Sequence, residues 1–188
     1  GGEVTPNRGV KGDNFKRWFN QVDGLSQGFS GTIKLTYHSE ETKFDYASDE
    51  FYPLELTGLS EGDSVNKDGK NHLFTLNLGV PFKVLASGEE SFKIEADDDT
   101  FVFVGNKLVI DMGGIHGATV GEFLIQKNGE IYTGVNNGDL VYSGLTVENG
   151  ADSIVRIFHA DRNADESVFK VDVVKMNLTI MNTSIAST

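Results

Sequence analysis

Two short apolar runs joined by two residues constrain this chain more than anything else in it. Phe101-Val-Phe-Val104 is followed by Gly105-Asn106 and then by Lys107-Leu-Val-Ile110. Aromatic and β-branched side chains suit a pleated, half-buried surface. A two-residue Gly/Asn connection matches the twist of paired strands. The stretch is therefore predicted to be an antiparallel hairpin. A lone hairpin is marginal in water, so the rest of the chain must supply more sheet. Gly31-Thr-Ile-Lys-Leu-Thr-Tyr37 alternates, with Ile33, Leu35 and Tyr37 on one face, and Leu73-Phe-Thr-Leu-Asn-Leu78 alternates in the same way. Ser153-Ile-Val-Arg-Ile-Phe-His159 reads as a buried strand. In the last apolar stretch, Phe169, Val171 and Val173 share one parity, while Met176, Leu178 and Ile180 share the other. A slip of one residue reverses the faces, so a bulge or bend is expected near Val173-Val174.

Helical periodicity is sparse. Phe15, Trp18, Phe19 and Val22 follow the spacing of one helix face, with Asp13 or Asn14 as cap and Gly24 as stop. One short helix over residues 14–23 is expected, with Trp18 in the core. The chain has 188 residues and is 38% hydrophobic, enough for one globular domain over residues 1–188. The small, polar stretch 182–188 reads as the start of a linker to further domains of a larger multidomain protein. A net charge of -12 argues against a nucleic-acid partner, which requires clustered Lys and Arg. The chain has no Cys, which rules out disulfides and thiolate metal sites. No apolar run approaches the roughly 18 residues of a membrane helix, so membrane insertion is not expected.

Directly before the hairpin stand Asp97, Asp98 and Asp99. Adjacent like charges repel, and a dication with hard oxygen ligands relieves the repulsion, which points to Ca2+. The plainer alternative is a solvated or hydrogen-bonded acidic turn. Adjacent carboxylates point together and not across a cleft, and nucleophile-elbow and phosphate-loop patterns are absent, so no enzyme activity is expected. His116, within Gly113-Gly-Ile-His-Gly117, reads as a structural histidine, as do His72 and His159. Tyr132 with Asn136 and Asn137 is a candidate ligand-binding set, because rings stack on pyranoses and amides bridge hydroxyls. A hairpin turn at Asn137-Gly138 is the plain alternative there.

The order Asp97-Asp-Asp-Thr-Phe-Val-Phe-Val-Gly-Asn-Lys-Leu-Val109, then Asp111-Met-Gly-Gly-Ile-His-Gly117, resembles the hallmark of the fibro-slime domain, a branch of the PA14 superfamily. Asn14-Phe-Lys-Arg-Trp-Phe19, Phe51-Tyr-Pro-Leu54, Asn71-His-Leu-Phe-Thr75 and Phe158-His-Ala-Asp-Arg162 resemble its flanking elements in order. The resemblance implies an all-β, antiparallel β-sandwich on a secreted or cell-surface protein. It further implies a calcium-assisted carbohydrate-binding module of an adhesin, pilus tip or matrix protein, with a surface glycan as partner. In many relatives an adjacent Asp pair joined by an unusual cis peptide holds the metal, and that pair falls on Asp98-Asp99. A second loop, here 161–166, would add Asp161, Asn163 and Asp165. Asp97 would accompany the pair towards the ligand, and loops within 126–143 would set specificity. The chain departs from the pattern at Phe101, at the turn Val104-Gly-Asn106 and at Asp161-Arg162-Asn163. The alternative is a structural or protein-interaction domain of a surface assembly, without a sugar site.

Overall fold

The computed structural model describes residues 17–20, 23, 28–57, 69–163 and 166–179. Within them run twelve strands: β1 (Thr36–His38), β2 (Lys43–Ser48), β3 (Phe74–Lys83), β4 (Glu90–Ala96), β5 (Asp99–Val104), β6 (Lys107–Met112), β7 (Thr119–Ile125), β8 (Glu130–Val135), β9 (Val141–Thr146), β10 (Asp152–Asp161), β11 (Phe169–Val174) and β12 (Asn177–Leu178). A single 3-10 turn, Pro53–Thr57, is the one helical element among the described residues. The strands form two antiparallel sheets, ordered β1-β2-β11-β4-β7-β8-β9 and β12-β3-β10-β5-β6. Together they make the expected β-sandwich.

The hairpin lies where the sequence puts it. Val104 faces Lys107 across Gly105-Asn106, and Gly105 takes φ +58, a conformation glycine adopts at little steric cost. Val102 pairs with Ile110 and Phe103 with Leu108, which leaves Val109 as a bulge residue. The bulge turns two consecutive side chains inward: Val109 and Ile110 are both buried, which strict alternation forbids.

One core lies between the sheets. The seven-stranded sheet contributes Phe92, Ile94, Phe123, Ile125, Phe169 and Val171, and the five-stranded sheet contributes Phe82, Val102, Ile110, Val155 and Ile157. Phe92 and Phe123 are register partners whose rings stack 5.3 Å apart. At Gly121 the two sheets come so close that an added Cβ would lie 2.4 Å from Ile110 Cγ2. Only glycine fits that approach.

Three expectations change. The parity switch after Val173 is not a bulge within one strand. β11 ends at Val174, Lys175 takes φ +51, and β12 joins β3 in the other sheet. Each parity is correct for its own sheet. The strand expected over 31–37 shortens to β1, where Tyr37 is exposed and rests on Phe44, although Ile33 still packs on the core. The helix expected over 14–23 falls largely outside the described residues, and residues 17–20 form a turn. Trp18 is half-buried at one end of the sandwich and is not a core residue.

Candidate functional site

Antiparallel pairing gathers several loops at one end of the sandwich. Ala96, at the end of β4, faces Thr119 at the start of β7 and Phe169 at the start of β11. Asp99 at the start of β5 faces Ala160 near the end of β10, and Thr100 faces Met112 at the end of β6. The acidic triplet, the Gly-rich loop 113–118 and the segment after Asp161 therefore meet.

Asp97, Asp98 and Asp99 are not a solvated turn: they are 2%, 0% and 6% exposed. Burying carboxylates is costly unless their oxygens find donors. Asp97 Oδ1 accepts from Val168 N at 2.9 Å. Asp98 Oδ2 accepts from Arg162 N at 2.7 Å and its Oδ1 from His116 N at 3.3 Å, while its own N–H donates to the His116 carbonyl. Asp98 achieves this with φ +53, which a short polar side chain tolerates, and its peptide bond to Asp99 is trans. The cis peptide that the resemblance implies is therefore absent. Asp99 Oδ1 accepts from Gly114 N at 2.8 Å, and its Oδ2 takes both Nε, at 2.6 Å, and Nη2 of Arg162. The Arg162 guanidinium in turn lies over the Trp18 ring, 4.7 Å from its centroid. A planar, delocalised cation suits both contacts at once.

Asp161 completes the cluster and is 2% exposed. Its Oδ1 accepts from Asn163 N at 3.2 Å. Its Oδ2 is buried with no hydrogen-bond partner, with His72 Nδ1 the nearby basic atom at 3.8 Å. Burial pushes the Asp161 carboxyl up to about 8, with the charges of Asp97 and Asp98 adding to the effect. Burial also raises Asp97 to about 6, and it raises Asp98. The cause is shared: several carboxyl groups are withdrawn from water around a single guanidinium, which favours their protonated forms. Even so, no three His, Asp or Glu side chains among the described residues converge as a ready-made cation cage.

The structure brings together Asp97, Asp98, Asp99, Asp161 and the Asn163 backbone. Asp165 lies outside the described residues. Asn136 and Asn137 form a left-handed turn after β8, at φ +57 and +56, at the same end of the sheet as the acidic loop. Tyr132 is separated from them: it lies inside β8 and faces Leu124 in register. His116 and His159 are both held by contacts within the fold, although His159 Nε2 is buried with no hydrogen-bond partner. The His116 ring nitrogens lie against the Met112 and Gly117 carbonyls, and His159 Nδ1 is 2.9 Å from Thr100 Oγ1. Arg162 is the residue that sequence reasoning passed over. The available signal was electrostatic, since a triplet of acids that becomes buried requires a cation beside it.

No protein-family model matches the chain, and no solved structure matches it. Among curated proteins it is similar to several from Dictyostelium discoideum. It is 30% identical to Protein psiG over 121 residues and 32% identical to Protein psiF over 119 residues. It is 27% identical to Protein psiP over 159 residues. These alignments cover 61%, 57% and 69% of this chain but 17%, 16% and 20% of the relatives. The chain thus spans a fifth or less of the length of the curated relatives it matches.

Proposed function

We propose that this chain is a calcium-assisted carbohydrate-recognition module of a secreted or cell-surface protein, as its resemblance to the fibro-slime branch of the PA14 superfamily implies. One observation carries the reading: Asp161 Oδ2 is buried with no hydrogen-bond partner among crowded acidic side chains, with His72 Nδ1 3.8 Å away. A hard dication would satisfy that oxygen and favour the ionised form of its neighbours. The oxygen donors are of the type calcium takes, although among the described residues they do not converge as a ready-made cage. Asp97, Asp98 and Asp161 would have to turn their carboxylates together to hold the ion, with loop carbonyls and Asn163 beside them, while Asp99 serves as the partner of Arg162. Bound calcium would supply a positive centre for vicinal sugar hydroxyls at the loop end of the sandwich. The 136–139 turn shares that end and is suited to tune specificity. With so few carboxylates, affinity belongs to the roughly micromolar-to-millimolar band of extracellular calcium modules.

A second reading is favoured by the hydrogen bonds themselves. Each oxygen of Asp98 and Asp99 already accepts a donor, so the cluster also works as a clasp tying three loops together, as in a structural or protein-interaction domain. A glycan array probed in calcium and again in chelator separates the two. Glycan signals that vanish in chelator support the lectin reading, whereas chelator-insensitive capture of a protein ligand supports the clasp.

A further inference from the structure

The geometry points to a second, calcium-independent carbohydrate site: an aromatic platform on the outer face of the seven-stranded sheet, shaped for a neutral oligosaccharide. Inward-facing Phe123, Ile125 and Ile131 are at most 1% exposed, so their neighbours Leu124, Glu130 and Tyr132 face outward. Register places Leu124 opposite Tyr132 and Tyr132 opposite Tyr142, one residue on each of β7, β8 and β9. The result is a short apolar row across three strands, stepping by the inter-strand spacing of about 4.8 Å, close to the length of one pyranose.

The two rings lie 5.8 Å apart and tilted by 43°, and Tyr142 is 47% exposed. Their hydroxyls are tied to the protein, Tyr132 Oη to Glu130 Oε2 at 3.4 Å and Tyr142 Oη to Thr146 Oγ1 at 3.0 Å. Tyr142 is the exposed ring of the pair, with Tyr132 half-buried beside it, and an aromatic ring face attracts the polarised C–H bonds of a pyranose. Beside Tyr132 lies a shallow, open depression lined by Gln126, Lys127, Asn128 and Glu130. Amide, ammonium and carboxylate groups together donate to and accept from sugar hydroxyls. A polyanionic ligand is disfavoured by the net charge of -12. The platform lies on a sheet face and the acidic cluster at the loop end of the sandwich, so the site does not rest on the calcium reading.

The test is calorimetry in EDTA with cellohexaose, chitohexaose and mannohexaose as probes. Wild-type protein should bind at least one of them saturably. Tyr142→Ala, at the exposed end of the row, should weaken that binding by about tenfold or more. Tyr37→Ala, an exposed tyrosine on the opposite edge of the same sheet, should leave it unchanged and so controls for general surface effects. Tyr132→Phe should retain binding, because it keeps the ring and removes only the tethered hydroxyl. Failure of all three probes to saturate at about 10 mM would overturn the proposal. Equal binding by Tyr142→Ala would overturn it as well. Because calcium is absent throughout, neither result depends on the acidic cluster.

Discussion

At the scale of single residues the acidic cluster is a charge problem solved in part. Arg162 neutralises Asp99, and removing one partner of a buried pair strands the other. Arg162→Ala should therefore destabilise the protein by about 3–5 kcal/mol in urea unfolding, and Arg162→Lys should rescue little, because an ammonium cannot make the forked contact. Trp18 is the only Trp, so its fluorescence should shift in both variants as the guanidinium leaves its ring. The pH dependence has two opposed limbs. Burial lowers His159 from 6.5 to about 4. A base depressed in the folded state contributes stability above its unfolded value and loses it as pH falls, here between 6.5 and about 4. Asp97 and Asp161 are raised from 3.8 to about 6 and about 8, so their contribution is full below the unfolded carboxylate value and is lost as pH rises through those values. Where the windows overlap, the two carboxyl groups outweigh the single imidazole, so in chelator the urea midpoint should fall as pH rises from about 4 to about 8. His159→Gln should steepen that fall below pH 6.5, and Asp161→Asn should flatten it. A wild-type midpoint that does not vary between pH 4 and pH 8.5 would contradict this assignment. The triplet itself was legible in the sequence as a place where charge is concentrated. Its burial was not, because burial depends on Arg162 and His116, which lie far along the chain from Asp98.

Among the elements, the sheets meet most closely at Gly121. A side chain there must displace Ile110 and Met112, which are themselves buried. Gly121→Val should cost about 1–3 kcal/mol or more in chemical denaturation, as overpacking does. Phe123→Ala, which empties half of the Phe92–Phe123 stack, should cost about 3–5 kcal/mol by the opposite route, a cavity. If Gly121→Val were as stable as wild type, the sheets could not be as close as described. Hairpin β5–β6 was readable because its signal is local: two apolar runs and a Gly-Asn turn. The exchange of sheets after β11 was only half readable. Side-chain parity reports which way residues face, and a strand that bends and a chain that changes sheets leave the same mark. Lys175 decides between them through its left-handed backbone and its N–H bond to the Thr42 carbonyl, a partner 133 residues earlier that periodicity does not reveal.

In the whole molecule, antiparallel pairing places both strands that flank the triplet, and the end of β10, on one end of the sandwich. That placement turns a run of three acids and a distant fourth into one buried cluster. The all-β architecture followed from alternating apolar runs across the chain, but the pairing order did not, since strands such as β3 and β10 find each other across 69 or more residues. A ligand that binds only the folded form stabilises it by mass action, so calcium at many times its dissociation constant should raise the unfolding midpoint of wild-type protein. The most direct measurement is calcium titrated by calorimetry into chelator-treated protein, alongside Asp161→Asn. The account expects saturable binding of about one ion in the wild type and its loss in the variant, which turns the carboxylate carrying the unpartnered oxygen into a neutral amide. No heat at millimolar calcium in the wild type, or equal binding by the variant, would contradict the calcium site and leave the cluster as a structural clasp.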